Sequence, residues 1–156
     1  MTVKKTINCS YGKGYASLTV SILGYIITMD SPKILLIDGN REDRDSVSSF
    51  LGGEGYLVEC ADNGHEGLDM ARQEKFDLVI LDLILPDMKG EEICARLKSK
   101  GNKRAVSVLV LSAKDEIDEI EELFQKGVDD YIVKPPRLSH LIKRVEFHIS
   151  NKRMNK

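Results

Sequence analysis

Four polar residues, each at the end of an apolar run, are the candidates for chemistry in this sequence: Asp38, Asp82, Ser112 and Lys134. The runs before them have the length and composition of buried parallel strands. The carboxyl ends of such strands share one edge of the sheet, where α/β proteins bind ligands. Two carboxylates, a hydroxyl and an ammonium make an oxygen-rich pocket suited to a hard divalent metal ion and a phosphoryl group. The predicted chemistry is therefore formation of an acyl phosphate on a carboxylate.

Each of these residues also has an ordinary structural interpretation. Asp38 and Ser112 are residue types that cap helices, and Asp82 is suited to a cap or a turn. Lys134 is suited to full solvation or to a structural ion pair with Asp82. The convergence of four different strands on one edge favours the functional interpretation.

Strand-like and helix-like segments alternate along the chain from residue 33. Short aliphatic runs predict strands at 33–38, 57–60, 78–81, 106–111 and 131–133. Apolar residues at helical spacing predict five helices between and after these strands. The predicted core-facing helix positions are Val47, Phe50, Leu51, Leu68, Ala71, Ile93, Leu97, Ile117, Ile120, Leu123, Phe124, Leu138, Leu141, Ile142, Val145 and Ile149. The alternation predicts an α/β fold, with a parallel five-stranded sheet covered by helices on both faces.

Glycines and an asparagine mark the predicted helix boundaries. The first helix begins near Arg41 and ends at Gly52-Gly53, and Gly127 closes the fourth. Asn63 is the predicted N-cap of the second helix, with a glutamate three residues later. The third helix is predicted to end near Lys100-Gly101.

The composition is that of a soluble globular protein with one domain. Of 156 residues, 42% are apolar and 31% are charged, and the formal net charge of −2 predicts no direct DNA binding. Cys9, Cys60 and Cys94 are spaced neither for a zinc site nor for a disulfide framework. Cys60 and Cys94 are predicted to be small core residues.

Residues 1–31 are predicted to form an N-terminal extension that is poorly ordered or accessory. Its apolar stretch, Ala16–Met29, is shorter than the roughly 20 residues of a membrane-spanning helix. Lysines precede this stretch as in a signal peptide, but no clear cleavage pattern follows it. Met29 is an alternative start of the protein. We expect no membrane span and a cytoplasmic location.

Four segments in combination resemble the receiver domains of two-component response regulators. They are ILLID at the first strand, LVILDLILPDMKG around Asp82, VLVLSAKD at the fourth strand and GVDDYIVKPP at the fifth. The resemblance covers about 32–150 and leaves 151–156 as a basic tail. It implies a flavodoxin-like (βα)5 domain with strand order 2-1-3-4-5, and a signalling phosphoacceptor rather than an enzyme.

The resemblance also implies a role for each site residue. Asp82 would be the phosphoacceptor, and Ser112 the hydroxyl that swings toward the phosphoryl oxygen. Tyr131 would be the aromatic switch that turns inward with it, although a half-buried strand aromatic explains the same residue. Lys134 would pair with the phosphate, and the Lys134-Pro135 bond would be cis.

The metal ligands that the resemblance implies for Mg²⁺ are Asp38, Asp82 and the backbone carbonyl of Ile84. Receivers usually carry two adjacent acids at the end of the first strand, and this chain has Asp38-Gly39. Gly39 takes the position whose acid normally binds the ion directly. Losing one negative ligand should weaken Mg²⁺ binding.

The departure at Gly39 leaves two interpretations of the site. One is a receiver that is phosphorylated with altered metal dependence, in which Asn40 or Glu42 reaches in from the loop. The other is a pseudo-receiver that keeps the fold and a partner surface without phosphotransfer. We favour the first, because the other site residues are retained. Flavin binding on the same topology is poorly supported, since no glycine-rich loop follows the first strand.

The expected partners are a histidine kinase or histidine phosphotransfer protein and a downstream protein target. Charge placement also predicts a homodimer, with an acidic fourth helix against a basic last helix and tail. The acids are Asp115, Glu116, Asp118, Glu119, Glu121 and Glu122. The basic residues are Arg137, Lys143, Arg144, Lys152, Arg153 and Lys156. Solvated helix faces are the ordinary explanation of the same charges.

Overall fold

The computed structural model describes residues 18–22, 25–29, 31–99, 106–113 and 117–154. Its strands are β1 (Leu18–Ile22), β2 (Tyr25–Met29), β3 (Lys33–Ile37), β4 (Leu57–Ala61), β5 (Leu78–Leu81), β6 (Ser107–Ser112) and β7 (Asp130–Val133). Its helices are α1 (Arg41–Gly53), α2 (Gly64–Gln73), α3 (Gly90–Leu97), α4 (Ile117–Gln125) and α5 (Leu138–Met154).

Five of the strands form one parallel sheet in the order β4-β3-β5-β6-β7. Counted within the sheet, this order is 2-1-3-4-5, so the predicted flavodoxin-like (βα)5 fold is confirmed. The chain passes from β3 outward to β4 and then returns to β5 on the other side of β3. The carboxyl ends of β3 and β5 therefore meet at the point where the strand order reverses, which is where α/β folds place their ligands.

The sheet separates two apolar cores, because side chains alternate between the two faces of a strand. On one face Val79 of β5 belongs to a buried cluster with Ile93 of α3, and α2 and α4 complete that layer. On the other face Ile80 belongs to a cluster with Leu51 of α1 and Leu141 of α5. The central strands are buried on both sides, which explains why they read as unbroken aliphatic runs.

Side-chain caps start the first two helices. Asn40 accepts a hydrogen bond from Asp43 N at 3.1 Å, and Asn63 accepts one from Glu66 N at 2.9 Å. The predicted cap of α2 is thereby confirmed. The cap on α1 fixes the first helical turn, which lies beside the carboxyl ends of the strands.

The helix α1 ends at Gly53, as predicted. The chain turns two residues later at Gly55, whose φ of 93° lies in the left-handed region that glycine tolerates. Gly127, with φ of 95°, follows α4 as predicted. The helix α3 ends at Leu97, and the predicted end near Lys100-Gly101 lies outside the described residues.

Most of the predicted core positions are buried, but three are exposed. Cys60 is exposed because β4 is an edge strand. Phe124 is 47% exposed because its neighbour Leu123 takes the inward position, and successive helical residues point about 100° apart. Leu138 is 43% exposed at the first residue of α5. Cys94 is fully buried, as predicted, and the side chain of Ile117 lies outside the description.

The N-terminal apolar stretch contains the strands β1 and β2, which pair antiparallel with Leu18 opposite Met29. The accessory role of residues 1–31 stays a prediction. Within the described part of the chain, no helix has both the length and the apolarity that crossing a membrane requires.

Candidate functional site

Backbone hydrogen bonds of the parallel sheet extend to the four predicted site residues, which lie at the carboxyl ends of their strands. Asp38 follows β3 and donates its backbone N–H to Ala61 O at 3.1 Å, and Asp82 follows β5 and donates to Ile37 O at 2.8 Å. Lys134 follows β7 and donates to Ser112 O at 2.9 Å. The backbone around all four residues is therefore held by the sheet, and their side chains start from fixed positions along one edge.

The ammonium of Lys134 lies at the centre of this edge. Its Nζ atom is 2.6 Å from Asp38 Oδ2, 2.8 Å from Asp43 Oδ2 and 2.8 Å from Asp82 Oδ2. The lysine side chain is only 11% exposed. Burial alone would lower the pKa of Lys134, but the hydrogen bonds to the three carboxylates outweigh burial and hold this pKa above its ordinary value. Lys134 is a fixed positive charge.

Asp82 is buried and has a partner on each carboxylate oxygen. Oδ1 accepts hydrogen bonds from Ser112 Oγ at 2.9 Å and from Ile84 N at 3.0 Å, and Oδ2 contacts Lys134. These are the hydroxyl, amide and ammonium that stabilise oxygens carrying negative charge. The structure thus brings two of the other predicted side chains, Ser112 and Lys134, into direct contact with the Asp82 carboxylate.

Asp38 completes the set from the other side of Lys134. Its Oδ1 accepts a hydrogen bond from Asn40 N at 2.8 Å, and its backbone carbonyl accepts one from Arg44 at 2.7 Å. The side chain is 1% exposed. Burial raises the pKa of Asp38, and the hydrogen bond from Lys134 offsets only part of that effect. Asp38 does not cap α1, because Asn40 does.

Asp43 is a site residue that the sequence reasoning missed. We expected Asn40 or Glu42 to reach in, but Asn40 caps the helix and Glu42 is exposed. A signal was available, since Asp43 lies four residues before Val47, which is buried. Residues four apart share a helix face. Asp43 therefore extends the buried stripe of α1 to its N-terminal end, beside the strand ends.

Tyr131 and Ile84 are the two remaining residues that the sequence predicts at the site. Tyr131 is half-buried on β7 and packs against the core cluster on the α3 and α4 face. The side chain of Ile84 is 57% exposed, while its backbone N–H holds Asp82. The Lys134-Pro135 bond is cis, as predicted. The roles assigned to the site residues by resemblance stay predictions.

The donor groups at the site suit Mg²⁺ in chemistry, because they are carboxylate and carbonyl oxygens. Gly39 is exposed, and a Cβ atom there would lie 3.6 Å from Ile84 O and 3.2 Å from Pro86 Cδ. The position that lacks its acid thus borders the carbonyl predicted to bind the metal. Within the described ranges, no three His, Cys, Asp or Glu side chains are arranged to hold a metal ion. The ammonium of Lys134 stands where the three carboxylates meet.

The loop after Asp82 is tied to the start of α2. Asp87 Oδ1 accepts a hydrogen bond from Gly64 N at 2.8 Å, and Oδ2 accepts one from His65 N at 2.9 Å and contacts His65 Nδ1 at 2.5 Å. Although burial opposes the shift, these hydrogen bonds lower the pKa of Asp87 below its ordinary value. Asp87 therefore fixes the loop that carries Ile84, three residues earlier.

A family model described as "Response regulator receiver domain" matches residues 34–146. The chain belongs to this family. The match includes the strand-end residues Asp38, Asp82, Ser112 and Lys134. Receiver domains of response regulators are signalling modules of two-component systems, and the resemblance predicted from the sequence is confirmed.

Named relatives and solved structures agree with this assignment. The receiver domain is 37% identical over 113 residues to response regulator MprA of Mycolicibacterium vanbaalenii, and this alignment covers 72% of the chain and 48% of the relative. The chain spans about half the length of the curated relatives it matches. A CheY-like receiver domain of Methanospirillum hungatei has 25% identity and a TM-score of 0.75, over 81% of this chain and all of that one. A two-component response regulator of Clostridium difficile has 28% identity and a TM-score of 0.73, over 81% of this chain and 100% of that chain.

Proposed function

We propose that Asp82 accepts a phosphoryl group from a phosphohistidine of a partner protein. An oxygen of the carboxylate forms the new bond to phosphorus, while the bond from phosphorus to the imidazole nitrogen breaks and the imidazole keeps that electron pair. The product is an aspartyl phosphate. The observation that carries this proposal is the contact of Asp82 with Ser112, Ile84 N and Lys134 at 2.8 to 3.0 Å.

The neighbours of Asp82 have separate tasks in this reaction. Lys134 offsets the negative charge that an incoming phosphoryl group adds to an acidic site. Ser112 turns its hydroxyl from Asp82 Oδ1 to an oxygen of the phosphoryl group, and Tyr131 moves inward as it does so. Because the reaction modifies the protein itself, the domain is a signalling phosphoacceptor that assists its own phosphorylation rather than an enzyme acting on a separate substrate.

Mg²⁺ is the cofactor that we propose for this reaction. Asp38, Asp82 and the carbonyl of Ile84 would hold it. When bound, the ion would offset the negative charge of the carboxylates and of the incoming phosphoryl group. The absence of an acid at Gly39 predicts weaker binding than in receivers with the full acidic pair.

The phosphoryl donor that we propose is a histidine kinase or a histidine phosphotransfer protein, and the responding surface is the α4–β7–α5 face. Phe124, Val133 and Leu138 are exposed on these three elements, between 43% and 47%. Ser112 ends β6 and Tyr131 lies on β7, so movement at the site reaches this face directly. In this proposal, the α4–β7–α5 face binds a downstream target or pairs two copies of the chain.

The test of phosphorylation is treatment with acetyl phosphate or beryllofluoride, with and without Mg²⁺. Intact mass detects the acetyl phosphate product, and the NMR shifts of Ser112 and Tyr131 report either adduct. We expect a product that requires Asp82 and is absent in Asp82→Asn. Asp45→Asn is the matched control, because Asp45 is exposed on α1 and pairs with Arg41. No product and no shift in folded wild-type protein would overturn the proposal and favour the pseudo-receiver.

The pairing of two copies has its own test. Sedimentation of beryllofluoride-treated protein should show a dimer at low salt that dissociates at high salt, if acids of α4 face basic residues of α5. Glu121→Lys reverses one exposed charge on α4 and should weaken this dimer. Dimerisation that is unchanged by salt and by Glu121→Lys would contradict the charge pairing.

A further inference from the structure

Every N–H bond of the Lys134 ammonium is taken in the unmodified domain. A protonated lysine donates three hydrogen bonds, and Nζ has a carboxylate oxygen of Asp38, Asp43 and Asp82 at 2.6, 2.8 and 2.8 Å. Although burial opposes the shift, these hydrogen bonds raise the pKa of Lys134, so the group stays protonated. To bind an oxygen of a phosphoryl group, Lys134 must therefore release one of the three carboxylates.

The three carboxylates differ in how easily Lys134 can release them. Asp38 is 1% exposed, and its release would leave a buried charge without its cation. Asp43 is 44% exposed, so rotation of its side chain brings the carboxylate into water. Asn40 holds Asp43 N in the first turn of α1, and the backbone can stay in place during this rotation. Between these two acids, Asp43 is the one whose release is least unfavourable.

We infer that Asp43 occupies the place on Lys134 that an oxygen of the phosphoryl group takes after modification. The phosphoryl group displaces the Asp43 carboxylate, which turns to solvent. Asp43 is thereby a positioning residue, since it holds the lysine in the unmodified domain and lowers the affinity of the site for a phosphoryl group. This inference rests on the proposed function, because it concerns the group that Asp82 accepts.

The change of charge on modification favours this displacement. An aspartyl phosphate replaces the single negative charge of Asp82 with about two on the phosphoryl group. If Asp43 stayed on Lys134, its carboxylate and the phosphoryl group would share one ammonium and repel each other at short range. Movement of Asp43 to solvent relieves this repulsion, whereas Asp38 is kept in place by its burial and by the hydrogen bond from Asn40 N.

Release of Asp82 instead of Asp43 is the alternative. Asp82 Oδ2 would then give up Lys134 when the phosphoryl group arrives, and Asp43 would keep its hydrogen bond to the ammonium. Removal of the Asp43 carboxylate would not improve the binding of a phosphoryl group, and the environment of this carboxylate would not change. A purely structural tie between α1 and Lys134 makes the same two predictions.

The affinity for beryllofluoride, which mimics the phosphoryl group, measures the competition for Lys134. Fluorine NMR follows the bound signal in a titration, with Mg²⁺ raised until the affinity no longer changes. We expect Asp43→Asn to tighten binding about twofold to fivefold, the range of a partly exposed ion pair. Asp43→Glu keeps a carboxylate and should stay near the wild-type affinity. Glu42→Gln is the matched control and should have a smaller effect than Asp43→Asn, because Glu42 is exposed in the same helical turn and loses the same charge.

Carbon NMR of the Asp43 carboxyl group tests the displacement in the wild-type protein, where the folding of a variant plays no part. Its resonance should shift when beryllofluoride binds, while that of Asp45, which pairs with Arg41 on the surface of α1, should not. Binding that leaves the Asp43 resonance unchanged would overturn the inference. So would an affinity that is unchanged or weaker in Asp43→Asn, or one that Glu42→Gln tightens equally.

The failure of this inference is distinguishable from failure of the proposed function. An adduct on Asp82 that forms without any change at Asp43 leaves Asp82 as the phosphoacceptor and removes the role of Asp43. If the folded wild-type protein forms no adduct, the proposed function itself fails, and this inference fails with it.

Discussion

Ser112 Oγ donates a hydrogen bond to Asp82 Oδ1 at 2.9 Å, and both side chains are buried. The hydroxyl and the candidate acceptor are therefore already in contact in the unmodified domain. Any movement of Ser112 toward a phosphoryl oxygen must break this bond, and a hydrogen bond to the phosphoryl oxygen would replace it. The hydroxyl would then have a partner in both arrangements, as a residue that switches between two states needs.

Ser112→Ala should separate modification from response. Asp82 keeps Ile84 N and Lys134 as partners, so beryllofluoride should still bind, while the shift changes at Tyr131 become smaller. The loss of one buried hydrogen bond should destabilise the domain by about 1 kcal/mol. Ser107→Ala, at the opposite end of β6, is the matched control and should leave the Tyr131 response intact. A full Tyr131 response in Ser112→Ala would show that the hydroxyl does not transmit the signal.

Lys134→Ala should destabilise the fold by about 3 kcal/mol near pH 8, because it leaves the carboxylates of Asp38 and Asp82 buried without their cation. The loss should be smaller near pH 5. Burial already raises the pKa of Asp38, and removal of the ammonium raises it further, so the acid takes up a proton and loses its charge as the pH falls. Urea denaturation at both pH values measures this difference. Lys143 is an exposed lysine of α5, and Lys143→Ala should have little effect on stability at either pH. If Lys134→Ala lost the same free energy of unfolding at both pH values, the argument would be wrong.

Gly90→Ala should disturb the acceptor loop, whereas Gly53→Ala should not. A Cβ at position 90 would lie 2.5 Å from Leu83 Cα and 2.9 Å from Asp82 O, so the backbone next to the acceptor must move. We expect a loss of about 1 to 3 kcal/mol and a slower reaction with acetyl phosphate. A Cβ at Gly53 meets no atom within 4 Å, and alanine there should be neutral or stabilise the helix by up to about 1 kcal/mol. If Gly90→Ala and Gly53→Ala both destabilised the domain, or both stabilised it, this interpretation of the contacts would be wrong.

Asp87→Asn should remove an acid-sensitive part of the stability. The pKa of Asp87 is lowered in the folded state by hydrogen bonds from Gly64 and His65, so the stabilisation is full above the ordinary value of 3.8 and is lost as the pH falls below it. Between about pH 5 and about pH 3, the wild type should lose more stability than Asp87→Asn. Thermal unfolding at several pH values gives the comparison. Asp69 is a surface acid paired with Arg72, and the stability of Asp69→Asn should follow that of the wild type as the pH changes. If the plots of stability against pH were parallel for the wild type and Asp87→Asn, Asp87 would not have this role.

The strand ends were predictable because their pattern is local. An aliphatic run followed by one polar residue identifies both a buried parallel strand and its carboxyl end, and this placed Asp38, Asp82, Ser112 and Lys134 on one edge. The strand order followed from the family resemblance. Five short strands alternating with helices are compatible with several orders, and nothing in the strands themselves chooses among them.

The missed features depend on contacts between distant parts of the chain. Acidic residues in the first turn of a helix are ordinary, since they favour its positive end, so Asp43 resembled a solvated residue. Its role depends on the distance to Lys134, which is set by how α1 packs against β3 and β4 and by the reach of the Lys134 side chain from the end of β7. Cys60 was assigned to the core from its residue type and Phe124 from helical spacing, but an edge strand and a neighbouring leucine leave them exposed. Exposure at such positions depends on the tertiary arrangement.

The salt bridge between Lys134 and Asp38 joins residues 96 positions apart in the sequence. During synthesis, a chain from which β7 has not yet emerged has four of the five sheet strands but lacks the central ammonium. Its carboxylates then lack their cation, and the edge has no positive charge to offset an incoming phosphoryl group. The phosphorylation proposed for Asp82 would therefore require that the last strand has joined the sheet, and an unfinished chain would not send the proposed signal.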